Sequence, residues 1–292
     1  MSTRFVLTAL VLALSAFLSG CASTTTIGAL PVVRASEDVP RDPLAVGYLS
    51  HIPPRFAVPQ DDVGRLILRE YGSLFVAGSG VRVPDKAVFR DEEDVAAFQE
   101  TVDVARENIR GTTIELQRAA MQALKEAVSE AARGGLVVSP RGTRAGRRHY
   151  ALTAELWTSR VTAGMKHWVA LGKISAAEGK RVESLPPFDQ VPEILGLEEK
   201  KLFFAKDLTK SILYSAAPPG ASQHLSMLAV DIVQNSDPRV RAILAKHGWF
   251  QTVTSDLPHF TYLAATEDEL PRLGLRSVRT LNRTFWVPDL PR

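Results

Sequence analysis

The chain has 292 residues, of which 45% are hydrophobic and 23% are charged, and its formal net charge is +3. This length and composition allow a sizeable apolar core and exclude a wholly disordered chain. The weak positive charge does not indicate a nucleic-acid-binding protein, since a mildly basic chain suits an anionic cell envelope or a carboxylate-bearing substrate equally well. We therefore expect no nucleic-acid partner.

The first 21 residues are typical of an export signal. Arg4 supplies a positive charge, and an apolar run over residues 5–18 follows it. The run is too short to span a bilayer comfortably as a permanent helix. The sequence Leu-Ser-Gly-Cys that ends at Cys21 resembles the lipobox of bacterial lipoproteins, which implies cleavage before Cys21 and lipidation of its sulfur. A plain secretory signal with a chance cysteine is the alternative.

Cys21 is the single cysteine of the chain, so we expect neither an intrachain disulfide nor a cysteine-ligated metal. The lipobox resemblance predicts a protein of the cell envelope, anchored to a membrane through its N-terminal lipid. Ala22 stands where an aspartate would signal retention in the inner membrane. In a Gram-negative host we therefore expect the outer membrane, facing the periplasm.

Residues 21–45 are rich in serine, threonine and proline, which predicts a flexible tether. A strongly helical segment is predicted over residues 91–132, with one break at Gly111. A short buried strand is predicted at residues 136–138, followed by a basic loop at 141–149.

Helices are predicted over residues 150–171 and 175–182. A short helix is predicted over residues 238–246, because the proline at its start and His247-Gly248 after it suit helix termini. The proline-rich residues 183–198 predict an exposed loop, and residues 205–214 predict another helix.

Short strands are predicted over residues 226–232, 250–254 and 260–264. A further strand is predicted at residues 284–287, where a proline follows and would end it. The predicted fold class is α+β.

Four polar residues stand out among these strands: His224, Asp231, Asp256 and His259. A catalytic zinc needs three protein ligands and an open position for water, and histidine and carboxylate are suitable ligands. His224, Asp231 and His259 meet that requirement, which leaves Asp256 to accept the water's proton. The spacing alone is weak evidence, because a lone histidine is more often structural.

The order of the surrounding residues is more specific. In chain order they are Ser222-Gln223-His224, Ala229-Val230-Asp231, His247-Gly248-Trp249 and Asp256-Leu257-Pro258-His259. Over about residues 113–264 the chain resembles the VanY-type D-alanyl-D-alanine carboxypeptidases, in the group that also holds lysostaphin-type enzymes and the hedgehog signalling domain. The resemblance implies Zn²⁺ ligands at His224, Asp231 and His259 and a catalytic base at Asp256.

The resemblance also implies two residues that contact the substrate. Ser222 would lie near the terminal carboxylate of the peptide. An arginine in a Gly-Tyr-Arg-Ser context polarises the scissile carbonyl in the family, and Arg144 has the matching spacing here, with Arg141 as its rival. The other arginines of this loop are interpreted as a solvated surface.

The chain departs from the family pattern at three positions. The glycine after the first ligand is Met227, so we expect the local turn or packing to differ. The tryptophan before the last histidine is Pro258, and the base is Asp256 rather than glutamate. These changes bear on the substrate more than on the metal.

The resemblance implies a small antiparallel sheet that carries the zinc site, flanked by helices, with a helical N-terminal extension. The predicted segments are a signal peptide (1–20), the tether (21–45), an N-terminal extension (46–112), a zinc peptidase domain (113–264) and a C-terminal β-extension (265–292).

The implied function is zinc-dependent hydrolysis of the terminal D-alanyl-D-alanine bond of peptidoglycan stem peptides. Two alternatives stay open. One is a peptidoglycan endopeptidase or L,D-peptidase on the same scaffold, and the other is a non-catalytic lipoprotein that binds zinc or peptidoglycan.

Overall fold

The computed structural model describes residues 47–291. Cys21, the predicted signal peptide and the predicted tether lie outside the described residues. The helices are α1 (Asp62–Tyr71), α2 (Glu92–Gln99), α3 (Arg118–Arg133), α4 (Tyr150–Ala170), α5 (Ala176–Glu183), α6 (Pro187–Glu199) and α7 (Pro238–Lys246). The strands are β1 (Val104–Ile109), β2 (Thr112–Gln117), β3 (Ala229–Asp231), β4 (Trp249–Phe250), β5 (His259–Tyr262), β6 (Leu275–Thr280) and β7 (Arg283–Pro288).

Helices and small antiparallel sheets make up the described part of the chain, which confirms the α+β class. The sheets are a hairpin of β1 and β2, a three-stranded sheet in the order β3-β5-β4, and a hairpin of β6 and β7. The helices predicted over residues 150–171, 175–182 and 238–246 correspond to α4, α5 and α7. The strand predicted at 284–287 lies within β7.

The helical prediction for residues 91–132 is wrong in its middle part. Helix α2 ends at Gln99, and β1 and β2 form a hairpin before α3 begins. Arg110 and Gly111 connect the strands with φ angles of 50° and 85°, the left-handed conformation that a tight hairpin turn requires. The apolar residues Ile114 and Leu116 therefore alternate along a strand rather than follow a helix face.

The predictions of an exposed loop over residues 183–198 and of a helix over residues 205–214 are also wrong. Residues 187–199 form α6, because its buried face of Val191, Ile194 and Leu197 outweighs the one backbone hydrogen bond that Pro192 removes. Residues 205–214 form turns and end in the short 3₁₀ helix Ile212–Tyr214.

The predicted strand at residues 136–138 is also absent. Val138 is fully buried, but the backbone meets the sheet only at an isolated bridge between Pro140 and Ile232. The chain then turns away as the loop that the sequence predicted at residues 141–149.

One apolar core joins the predicted N-terminal extension to the three-stranded sheet. Tyr48, Leu68 and Phe75 from the extension belong to the same buried cluster as Leu228 and Val230 around β3. The hairpin also crosses the predicted boundary between residues 112 and 113. The division into segments stays a prediction, but residues on both sides of this boundary share a sheet and a core.

A search of the described helices for one with the length and apolar character of a membrane span found none.

Candidate metal centre

The three-stranded sheet brings two of the predicted ligands opposite each other. β3 pairs antiparallel with β5, and in that register Asp231, the last residue of β3, faces His259, the first of β5. The third predicted ligand, His224, lies in the 3₁₀ helix Gln223–Ser226 just before β3. The three residues are buried, with His224 only 1% exposed.

One nitrogen of each histidine and one carboxylate oxygen converge. His224 Nε2 lies 3.1 Å from His259 Nδ1, and Asp231 Oδ1 lies 3.3 Å from the former and 3.5 Å from the latter. In a tetrahedral zinc site with bonds of about 2.0–2.2 Å, neighbouring donor atoms are about 3.3–3.6 Å apart. The donor atoms and their separations therefore fit three corners of a zinc tetrahedron.

Hydrogen bonds on the far sides of the rings fix which nitrogens face this point. His224 Nδ1 lies 2.8 Å from the carbonyl oxygen of Gly146, and His259 Nε2 lies 2.8 Å from Oε1 of Gln223. Both partners are acceptors, so each of these ring nitrogens carries the proton. The opposite nitrogens then present lone pairs to the centre, as a metal requires.

Gln223 is held in turn by a buried network. Its Oε1 also accepts hydrogen bonds from Thr252 and Thr261, and its amide nitrogen donates to the backbone carbonyl of Tyr71 at 2.8 Å. Tyr71 is the last residue of α1. The predicted N-terminal extension thus supports the orientation of His259, a role that the sequence did not predict.

Arg148 forms an ion pair with the second carboxylate oxygen of Asp231. Its Nη2 donates to Oδ2 at 2.6 Å, and the two side chains are 20% and 12% exposed. Oδ1 is buried and accepts no hydrogen bond of sound geometry from the described residues. Burying a charged oxygen that has no hydrogen-bond partner is unfavourable, and two nitrogen lone pairs point to the same place. A bound cation would offset that cost.

The electrostatics favour the protonation states that bind a metal. Burial, and then the charge of Arg148, lower the pKa of His224 to about 4. Burial favours the neutral form of Asp231, but His224 and His259 outweigh burial and hold the pKa of that carboxyl well below its usual range. Neutral imidazole and ionised carboxylate are the forms that ligate zinc.

Asp256 stands apart from the three donors, on the wall of a cavity of about 440 Å³. Its backbone N–H donates to Val253, and its carbonyl accepts from the backbone of His259. Burial raises the pKa of Asp256 above its ordinary value, and the positive charge of Arg148 partly opposes the shift. A carboxylate with a raised pKa, in the same cavity as the metal ligands, suits proton transfer.

The same cavity holds other residues that the sequence singled out. Ser222, Arg144 and the two histidines line it together with Asp256. Arg141 is not among the lining residues, and its backbone N–H instead donates to the carbonyl of Asp231. Of the two rival arginines, Arg144 is therefore the one with access to this space. The catalytic and substrate-binding roles of these residues stay predictions.

Arg147 and Arg148 are not the solvated side chains that the sequence suggested, whereas Arg141 is exposed. Arg147 bonds to Gln99 and Glu115, and Arg148 bonds to Asp231. These partners lie far away along the chain. A run of arginines in the sequence therefore gives no sign of which members are engaged.

The backbone at Met227 forms a left-handed turn directly after the 3₁₀ helix that carries His224. Its φ and ψ of 58° and 26° are left-handed, the conformation that glycine adopts most easily. The turn after His224 thus has a backbone conformation that glycine also adopts, and the methionine side chain at this position is fully buried.

Comparisons with known proteins give limited information. No protein-family model and no curated protein matches the chain. One similar solved structure is a zinc-bound mutant of the vancomycin-resistance D,D-pentapeptidase VanY from a VanB-type resistance cassette, at 17% sequence identity. The alignment covers 56% of this chain and 81% of the other, with a TM-score of 0.29. A likeness at that score establishes no shared fold, so function must be inferred from the residues of the site.

Proposed function

We propose that this chain is a zinc-dependent peptidase that hydrolyses the terminal D-alanyl-D-alanine bond of peptidoglycan stem peptides. The observation that carries the proposal is the convergence of three buried donor atoms, at the spacing of a zinc tetrahedron, on a cavity that also exposes a separate carboxylate. The ordered motif around His224, Asp231 and His259 supports this substrate class.

His224, Asp231 and His259 would hold the metal. A zinc ion bound there supplies a Lewis acid, which lowers the pKa of a water molecule and polarises a carbonyl group. His224 and His259 line the cavity, so water and substrate would reach the metal from it.

The remaining steps belong to side chains of the cavity. Asp256 accepts the proton of the attacking water and returns it to the departing amine of D-alanine. Arg144 donates hydrogen bonds to the oxygen that gains negative charge during attack. Ser222 binds near the terminal carboxylate of the peptide.

The proposed location follows from the N-terminal sequence. Lipidation of Cys21 anchors the protein in the cell envelope, in the outer membrane of a Gram-negative host. The tether then gives the peptidase reach to peptidoglycan.

Incubation of the purified protein with a stem pentapeptide tests the proposal. We expect release of D-alanine that a chelator abolishes and added zinc restores, and we expect Asp256→Asn to bind zinc while losing about 10²–10⁴-fold in rate. Zinc binding with neither release of D-alanine nor cleavage of cross-linked muropeptides would contradict the enzyme and favour a binding protein. Conversion of cross-linked muropeptide dimers into monomers, with no D-alanine released, would favour the endopeptidase.

A further inference from the structure

We propose that the tip of the β6–β7 hairpin, together with a pair of arginines beside it, binds the surface of an anionic lipid membrane. The arginines take the phosphates of lipid headgroups, and an exposed leucine at the tip enters the apolar boundary of the bilayer. The proposed peptidase chemistry does not involve this surface. The proposed lipid on Cys21 would hold the surface near a membrane.

An exposed leucine stands at the tip of the hairpin in an unfavourable backbone conformation. Leu281 and Asn282 connect β6 to β7, and their φ angles of 51° and 57° are left-handed. Two-residue hairpin turns of this kind favour asparagine and glycine, whereas leucine adopts the left-handed conformation only at a cost. Leu281 is 71% exposed, so little packing within the described residues compensates that cost. A strained and exposed residue of this kind points to a contact outside the folded chain.

Two arginines meet beside the tip without an acidic partner. Arg283 Nη1 donates to the carbonyl oxygen of Asn235 at 2.7 Å, and Arg241 Nη1 donates to the same oxygen at 3.0 Å. Arg241 Nη2 also donates to the carbonyl oxygen of Asn282 in the turn, at 3.4 Å. Neither guanidinium forms an ion pair with a carboxylate of residues 47–291. Two adjacent positive charges in this state repel each other, and an anion bound to both would offset the repulsion.

The surface around this pair adds a further positive charge and a second apolar side chain. Arg279 is exposed on β6, and its side chain forms no hydrogen bond or ion pair with another described residue. Val233 is 51% exposed and lies next to the pair, because Nδ2 of Asn235 donates to its carbonyl oxygen at 3.1 Å. Asp237, a carboxylate close by in the sequence, already pairs with Arg239 at 2.7 Å. The surface thus combines uncompensated positive charge with exposed hydrocarbon.

That combination matches an anionic lipid surface better than a soluble anion. A free phosphate ion would bind the guanidiniums and leave Leu281 in water, whereas a bilayer surface takes both the charges and the apolar side chain. Residues 275–288 contain three arginines and neither aspartate nor glutamate. The hairpin therefore carries no negative side chain that an anionic leaflet would repel.

The predicted tether meets the folded chain beside the base of the same hairpin. A Cβ atom on Gly274, the residue before β6, would lie 2.3 Å from Cα of Tyr48, so these two backbone segments touch. β6 spans about 20 Å from this base to the tip. The predicted tether of residues 21–45 would reach about 25–30 Å as a flexible coil. A tether of that reach would allow a lipid on Cys21 and the hairpin tip to contact one membrane.

An environment-sensitive dye at position 281 tests the contact. The full chain carries Cys21→Ser and Leu281→Cys, so it has one thiol for the dye, and its N-terminal apolar run is the same in every variant. On vesicles of phosphatidylethanolamine and phosphatidylglycerol, we expect the emission of the dye to shift to the blue. On vesicles of phosphatidylcholine alone, we expect no shift. Arg279→Gln in the same chain should lower the ratio of lipid-embedded to water-exposed dye about fivefold, the loss for one positive charge at an anionic surface.

Two matched controls separate this contact from general adhesion. Leu171→Cys places the dye at another exposed leucine, directly after α4, and should give no shift. Arg110→Gln removes an exposed arginine at the turn of the β1–β2 hairpin and should leave the ratio at position 281 unchanged.

The absence of a shift at position 281, or an equal shift at position 171, would overturn the proposal. An equal shift on the phosphatidylcholine vesicles would also overturn it, because the arginines would then have no part in the contact. Binding of inorganic phosphate to the arginine pair, with no lipid contact at position 281, would assign the pair to a soluble anion instead. Release of D-alanine from a stem pentapeptide is measured separately, so failure of the peptidase and failure of the membrane contact are distinguishable.

Discussion

At the scale of single residues, the candidate site consists of ligands and of the groups that orient them. Each histidine donates one ring proton to an acceptor behind it, and Asp231 gives one oxygen to Arg148, so each ligand has one remaining atom for the metal. Such outer partners fix the tautomer and direction of a ligand, and their loss typically weakens metal binding by about 10–100-fold. Substitution of these partners, like substitution of the ligands, should therefore change the metal affinity measurably.

Removal of a ligand gives the most direct test of the metal site. We expect wild type to bind one zinc ion per chain and His259→Ala to lose high-affinity binding, because two donors remain where a catalytic site uses three. Elemental analysis after dialysis against a weak chelator measures this. His149→Ala, at an exposed histidine whose ion pair among the described residues is with Glu92, is the control and should retain the metal. Equal zinc content in all three proteins would show that the ion binds elsewhere.

Arg148 is predicted to position Asp231 rather than to contact substrate. Arg148→Gln removes the charged donor to Oδ2, so the carboxylate can rotate and an uncompensated buried charge remains. We expect zinc affinity, measured by competition with a chromophoric chelator, to fall about 10–100-fold. Arg279→Gln, an exposed position on β6, should leave the affinity at the wild-type value. An unchanged affinity in Arg148→Gln would mean that the ion pair has no part in metal binding.

At the scale of elements, the loop at residues 141–149 connects the hairpin to the metal centre. A Cβ atom on Gly146 would lie 2.6 Å from the carbonyl oxygen of Glu115 in β2, and the carbonyl of Gly146 is the acceptor for His224. The loop can therefore approach β2 only with glycine at this position. This close approach sets the position of the oxygen that orients the first ligand.

Gly146→Ala is accordingly expected to lower both thermal stability and zinc affinity. The added Cβ atom would clash with the backbone of Glu115, and the resulting shift of residue 146 would move the carbonyl oxygen that accepts from His224. Thermal unfolding with and without zinc measures the two effects together. Gly196→Ala is the matched control: a Cβ there meets nothing within 4 Å, and the position lies inside α6. That substitution should stabilise the protein by up to about 1 kcal/mol through helix propensity. A Gly146→Ala protein as stable as wild type would argue against the tight approach.

The sequence predicted the elements with regular apolar spacing and failed where tertiary contacts decide. α4 was predictable because its buried residues recur at helical spacing, and α7 because Pro238 begins it and His247-Gly248 follows it. The β1–β2 hairpin was missed because its residues also suit a helix, and α6 was missed because the three prolines of residues 183–198 indicate a loop. The donor residues were found from an ordered motif, whereas Arg148 and Gln223 act through partners that only the folded chain brings near.

At the scale of the whole molecule, one buried acid outside the site affects the pH dependence of stability. Glu198 at the end of α6 accepts hydrogen bonds from the backbone N–H groups of Phe204 and Ile212. Burial raises the pKa of this carboxyl above its ordinary value despite those bonds. The native state thus binds the proton more tightly than the unfolded chain, so the contribution of Glu198 is most favourable at low pH and is lost as pH rises through the raised pKa.

Glu198→Gln keeps an acceptor for both N–H groups and removes the titration. We expect the variant to be at least as stable as wild type at pH 7.5, with its advantage shrinking toward pH 4, in denaturant unfolding curves at both values. Glu193→Gln should behave in the opposite way, because the bond from Arg181 lowers the pKa of Glu193 and its small contribution is lost as pH falls. A Glu198→Gln variant that is less stable at pH 7.5 than at pH 4, relative to wild type, would contradict this account.

The hydrogen bond from Gln223 to the carbonyl of Tyr71 bears on how the protein can be shortened. A fragment that starts at residue 113 lacks α1 and half of the hairpin, so Gln223 would have no acceptor for its amide and His259 would be free to turn. Such a truncated protein would also expose the apolar surface that Leu68 and Phe75 now cover. A shortened recombinant protein that keeps the candidate metal centre should therefore begin no later than residue 47, even though every proposed ligand lies in the last quarter of the chain.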